Sequence, residues 1–164
     1  MIYIMDTTLR DGEQTSGVSF SEPEKLNIAK ILLEELKIDF IEVASARVSD
    51  GEFRAARKVL EWANRAGYLE RVEILGFVDG KTSLEWISRA GGKVMNLLAK
   101  GSLRHVTQQL KKSPEEHLAG IKSSLQLADS LGIRVNIYLE DWSNGMRHSP
   151  EYVNFMLDGL KNEK

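Results

Sequence analysis

Cysteine is absent from the 164 residues. Disulfides, thiolate metal sites and cysteine nucleophiles are therefore excluded, and a reducing compartment, the cytoplasm, is the expected setting. An excess of one charge is missing too: 22 basic residues stand against 24 acidic ones, a net charge of −2. No basic face is implied, which argues against nucleic acid as a partner. Long hydrophobic runs are lacking. The opening Met1-Ile2-Tyr3-Ile4-Met5-Asp6 carries no basic region and no extended apolar stretch, so neither a signal peptide nor a membrane-spanning helix is expected. Low-complexity linkers are equally absent. What remains, 42% hydrophobic and 28% charged, is ordinary for one globular domain long enough to bury a core.

Short apolar runs alternate with longer amphipathic stretches. The runs predict strands over 2–6, 38–44, 72–78, 93–98 and 133–140. Between them, helices are predicted over 22–36, 51–66 and 82–90. Ser21 with Glu24 forms a capping box ahead of the first, and Gly67 suits a left-handed end to the second. Ser113-Pro114-Glu115-Glu116 is another capping box, with proline at the first helical position. It opens a helix with Leu118, Ile121, Leu125 and Ala128 at helical spacing, closed by Gly132. Ser149-Pro150 opens a last helix carrying Val153, Met156, Leu157 and Leu160.

Strands that alternate with helices imply a parallel sheet, because each helix returns the chain for the next parallel strand. Two architectures fit, an open doubly wound sheet and a (β/α)8 barrel. Eight units would need roughly 250 residues. Five are present, so the chain is either a small open sheet or five-eighths of a barrel.

In both architectures the working groups sit at the C-terminal ends of the strands. The first strand delivers Arg10, Asp11 and Gln14 in a loop with Gly12 and Gly17. The second ends in Ile41-Glu42-Val43-Ala44-Ser45-Ala46-Arg47, the third in Leu75-Gly76-Phe77-Val78-Asp79. The fourth ends in Asn96-Leu97-Leu98-Ala99-Lys100 and the fifth in Tyr138-Leu139-Glu140-Asp141-Trp142. A carboxylate among these can bind a hard divalent cation. An adjacent arginine can hold a carbonyl or enolate oxygen as charge develops there, and a second carboxylate can act as a base. The set suits enolate chemistry at a carbonyl. The residues by themselves leave a simpler reading open, in which Glu42 only pairs with Arg10 or Arg47, and Glu140 and Asp141 are solvated at a strand exit.

The stretch Thr7-Thr8-Leu9-Arg10-Asp11-Gly12-Glu13-Gln14 closely resembles the opening motif of the DRE-TIM metallolyase family. Its members include 2-isopropylmalate, homocitrate and citramalate synthases, with HMG-CoA lyase a relative. The resemblance continues through Glu42, Gly76-Phe77, Lys100-Gly101-Ser102 and Glu140-Asp141, nearly the whole chain. It implies the N-terminal part, residues 1–164, of a TIM-barrel catalytic domain that condenses acetyl-CoA with a 2-oxo acid on a divalent metal, Mn, Mg or Zn. By position, Asp11 resembles the metal ligand and Arg10 the group that holds the keto or enolate oxygen. Gln14 lies in the substrate loop, Glu42 resembles the acid that orients Arg10, and Glu140 the acid–base glutamate of the synthases. The family's habit implies a homodimer.

Family members that take 2-oxoisovalerate carry a small serine two residues before that glutamate. Here the position is Tyr138, with Leu75 and Leu98 on neighbouring strand ends. Three bulky groups imply a pocket that admits a methyl and clashes with an isopropyl, at a cost of roughly 1–3 kcal/mol. Pyruvate, and hence (R)-citramalate, is the expectation, and Leu139-Glu140-Asp141-Trp142-Ser143-Asn144-Gly145 resembles citramalate synthases as well. 2-Isopropylmalate or homocitrate synthesis is the alternative, and a non-catalytic fragment acting only by self-association through open strands is an alternative of another class.

The chain departs from the family in one respect. The family completes its metal site with a His-x-His pair, whereas His105, His117 and His148 are not so spaced. They read as solvated or capping histidines. One protein ligand does not hold a catalytic divalent ion firmly, so these residues alone are expected to be inactive.

Overall fold

A computed structural model describes residues 2–163; residues 1 and 164 lie outside it. Five parallel strands form one sheet in the order β1-β2-β3-β4-β5: Met5–Asp6, Phe40–Ser45, Val72–Phe77, Val94–Lys100 and Arg134–Glu140. Helices α1 (Glu22–Lys30), α2 (Asp50–Ala66), α3 (Thr82–Ala90), α4 (Pro114–Ser130), α5 (Trp142–His148) and α6 (Pro150–Leu160) complete the order. The sheet curls into a half-barrel. The barrel, rather than the open doubly wound sheet, is the architecture.

Strand periodicity assigns the two faces. Ile41, Val43, Val72, Ile74, Met95, Leu97 and Ala99 form a buried cluster with Val59, Leu60, Leu84, Ile87 and Ile121 of the helices. The intervening residues, Glu42, Glu73, Asn96 and Asn136, are polar and share the other, concave face. In the ladder Asn96 pairs with Asn136, Leu98 with Tyr138 and Lys100 with Glu140. Each step is therefore one rung on a shared face.

Local chemistry sets most boundaries. Both halves of each expected capping box form, at Ser21 with Glu24 and at Ser113 with Glu116. Gly67 ends α2 at φ 79°, the left-handed region where a side chain would be strained. Three expectations shift. The strand over 2–6 contracts to Met5–Asp6, since β1 pairs only with β2 and Ile2 is 90% exposed. The helix over 22–36 is α-helical only to Lys30 and continues as a π-helical turn, Ile31–Glu35. The strand over 93–98 runs on to Lys100, because β4 is paired on both sides and keeps its register with β5 to that residue. Helix α5 has no counterpart among the predicted elements.

His117 also departs from its expected solvated or capping place. It is buried on α4, where its Nε2 accepts the Lys100 backbone N–H at 3.0 Å. Burial, followed by repulsion from Lys112 and Lys100, lowers its pKa to about 4. Between pH 6.5 and pH 4 the unfolded chain holds that proton and the folded chain does not. Stability therefore rises with pH across this window and is lost as pH falls toward 4, by about 3 kcal/mol in all. Urea midpoints should fall accordingly from pH 7 to pH 4.5, and His117→Gln should flatten that part of the profile. A His117→Gln profile as steep as that of the parent would refute the assignment.

Candidate active site

The motif loop is built before its side chains reach anything. Thr7 O accepts the backbone N–H groups of Arg10, Asp11 and Gly12 at 3.1, 2.7 and 3.2 Å, and the Asp6 carboxylate accepts Thr8 N–H at 2.9 Å. A tight turn results directly after β1. Glu13 then ties the turn down: its carboxylate accepts Phe20 N–H at 2.8 Å and pairs with Lys25 Nζ at 2.6 Å. Lys25 projects from α1 into the core, 1% exposed, and also contacts Glu52 and Leu9 O. Glu13 is thus part of the loop's foundation.

On that base Arg10 swings over the sheet. Its Nε donates to Glu42 Oε2 at 2.5 Å, and its Nη1 donates to Asp11 Oδ1 at 2.8 Å. Glu42 is fully buried, so the guanidinium neutralises a carboxylate that has no access to water. Asp11 is mostly solvent-exposed. A cleft of about 360 Å³ opens beside the pair, lined by Arg10, Gln14, Ser45 and Val48 among others. The structure brings Arg10, Glu42, Asp11 and Gln14 together.

Leu98, Tyr138, Glu140 and Trp142 line a second cleft, of about 590 Å³, at β5 and the start of α5. Leu75 is buried and does not line it. Burial, then the nearby carboxylates of Glu42 and Glu73, push the Tyr138 phenol above its ordinary pKa despite the opposing pull of Arg10. Tyr138 therefore keeps its proton, and its hydroxyl donates to Met5 Sδ at 2.7 Å. Glu140 is half-exposed and pairs closely with Lys100.

Several polar neighbours of these residues carry no assigned role in the sequence. Glu73, Asn136 and Lys25 are not singled out there, and Asn96 and Lys100 are only quoted at a strand end; here Asn96, Glu73 and Lys25 are buried, Asn136 is half-buried, and Lys100 is the cation at Glu140. Among the described residues, no group of three or more His, Asp or Glu side chains is arranged to hold a metal ion. Asp11 by itself does not make such a site, and the three histidines lie elsewhere: His117 under β4, His105 beside Asp141 at 3.4 Å, and His148 exposed at the end of α5. The residues present do not fit a complete divalent-metal centre.

A curled parallel β/α sheet that gathers its ionisable groups at the strands' C-terminal ends is part of a TIM barrel. The chain belongs to the HMGL-like family, whose model matches residues 1–155. It is 32% identical over 162 residues to a 2-isopropylmalate synthase of Polynucleobacter asymbioticus, covering 99% of this chain and 30% of that protein. Over 158 residues it is 33% identical to a candidate (R)-citramalate synthase of Methanopyrus kandleri, covering 96% of this chain and 29% of the other. The fold is similar to the hydroxymethylglutaryl-CoA lyase structure from Pseudomonas aeruginosa, with a TM-score of 0.66 at 19% identity, covering 99% of this chain and 54% of that one. The chain thus spans about a third or less of the length of these curated relatives. Among its described residues, no helix is long and apolar enough to cross a membrane.

Proposed function

We propose that this chain is the N-terminal part of the catalytic barrel of an acyltransferase that condenses acetyl-CoA with a 2-oxo acid. Pyruvate is the 2-oxo acid and (R)-citramalate the product, in branched-chain amino acid biosynthesis in the cytoplasm, with a homodimer as the working form. The observation that carries this reading is the pairing of Arg10, on the loop after β1, with the buried Glu42 within β2, beside Asp11. The synthase names of the relatives support the reaction class.

In the reaction a base removes a proton from the acetyl methyl group. The resulting enolate attacks the keto carbon of the oxo acid, and water then cleaves the thioester to release CoA. Arg10 holds the keto oxygen as it becomes an alkoxide, a task for a preorganised cation in a site of low dielectric. Glu42 fixes the guanidinium, Gln14 faces the substrate, and Glu140 serves in proton transfer. Asp11 is the one carboxylate here suited to a divalent metal, whose Lewis acidity would polarise the oxo acid. Further ligands would have to come from outside these residues.

Leu98 and Tyr138 share one rung and one cleft, which supports a short oxo-acid side chain. Leu75 stands apart from that cleft and would act only by backing it. The runner-up, 2-oxoisovalerate, is favoured by the 2-isopropylmalate synthase relatives. In the completed barrel, pyruvate should exceed 2-oxoisovalerate by at least about tenfold in kcat/KM, equivalent to about 1.4 kcal/mol at the transition state. Equal use of both acids would overturn the pyruvate assignment. The 164-residue chain alone should release no CoA from acetyl-CoA and pyruvate, and measurable release would show that its site is complete.

A further inference from the structure

Arg10 accounts for only one oxygen of the Glu42 carboxylate. The other, Oε1, accepts a hydrogen bond from Asn96 Nδ2 at 2.7 Å, and both residues are 0% exposed. Asn96 in turn accepts from Asn136 Nδ2 through its own amide oxygen at 3.4 Å, and Asn136 also donates to Glu73 Oε2 at 3.0 Å. A line of polar contacts therefore crosses the concave face from Arg10 on the β1 loop to Glu73 on β3. Burial raises the Glu73 pKa, against the opposing influence of Asn136, Arg134 and Asn96. The line therefore runs from the ion pair of Arg10 with Glu42 to a second acid whose pKa burial raises.

We infer that Asn96 is a positioning residue for Arg10. The last torsion of a glutamate is broad and roughly two-fold, so a carboxylate held at one oxygen can swing. Donors on both oxygens, Asn96 Nδ2 and Arg10 Nε, leave one orientation, and that orientation keeps the guanidinium, with Nη1 on Asp11, in its place at the wall of the cleft. An amide is suited to the position because it donates without adding a charge that would repel Glu42; an aspartate there would place two acids side by side. The inference rests on the reading of Arg10 as the group that holds the keto oxygen, and extends it to a neutral residue three strands away, on β4.

The test is read on the 164-residue chain without substrate, by NMR-detected exchange of side-chain protons. The Arg10 Nε–H and the Asn96 carboxamide protons should exchange at least about tenfold slower than those of exposed Arg65 and Asn64. Asn96→Leu should bring Arg10 exchange close to that of Arg65, while the backbone amides of Leu97 and Ala99 keep their protection. Unchanged Arg10 exchange in the folded variant overturns the inference. Should the variant fail to fold, the wild-type Asn96 carboxamide decides: slow exchange supports the bond to Glu42, and exchange as fast as that of Asn64 overturns it. Condensation plays no part in this readout, so failure of the synthase reading and failure of this inference are separate results.

Discussion

Lys25→Met should lower the stability of the chain by about 3–5 kcal/mol, the usual consequence of removing one partner from a buried ionic cluster. The ammonium is almost wholly buried and serves three acceptors, Glu13 at 2.6 Å, Leu9 O at 3.2 Å and Glu52 at close contact. Its two acids respond differently. Burial raises Glu13, but the bonds from Lys25 and Phe20 N–H outweigh it and leave the carboxyl below its ordinary value. Glu52 is raised, since its desolvation exceeds what Lys25 returns and Glu13 adds repulsion. Methionine fills the space of the lysine stem and withdraws the charge, leaving two acids facing each other. A urea titration should show the midpoint fall, with partial recovery in Lys25→Met/Glu13→Gln. A loss below about 1 kcal/mol would mean that water or a rearranged loop compensates. Because Glu13 anchors the Arg10 turn, the same variant should also broaden the Arg10 side-chain resonance.

Lys25 also shows where sequence reading reached its limit. Buried positions on this helix are Lys25, Ala29, Leu32 and Leu33, at i, i+4, i+7 and i+8, so the lysine lies on the apolar stripe. That placement was visible in the periodicity, yet a lone lysine on a helix ordinarily reads as solvated. Boundaries set by neighbouring residues were legible: the two capping boxes, the Gly67 end of α2 and the span of α3 all follow from local chemistry. Those that depend on a partner strand were not, as the shortened β1 and lengthened β4 show. The site divides in the same way. Arg10, Asp11 and Glu42 announce themselves by charge at strand ends, and the structure joins them. Asn96 and Asn136 carry no charge and sit within apolar runs, at the third residue of β4 and of β5. Their signal was their position, because an amide within an apolar run, buried on β4 and half-buried on β5, is costly unless it is hydrogen-bonded. What it bonds to was a matter of sheet curvature, which no local pattern carries.

Glu42→Leu should cost a further full measure, about 3–5 kcal/mol, because it strands a guanidinium and an amide donor together on the concave face. The carboxylate joins groups that are far apart in the chain, with Arg10 32 residues away and Asn96 54 residues away. Both lose their acceptor at once. Arg10 keeps Asp11, but that contact is solvent-exposed and worth little by comparison. Glu42→Gln keeps the shape and one acceptor oxygen while removing the charge, so its loss should fall between those of the parent and the leucine variant. The decisive measurement is a double-mutant cycle by urea unfolding with Arg10→Met. If the pair is coupled as the geometry requires, Glu42→Leu/Arg10→Met should be more stable than the sum of the single losses predicts by at least about 1 kcal/mol, since the leucine no longer abandons a buried cation. Additive losses would mean that Arg10 finds water or Asp11 as readily as Glu42. Its fixed direction toward the cleft, on which any role in holding a developing oxyanion depends, would then have no structural basis.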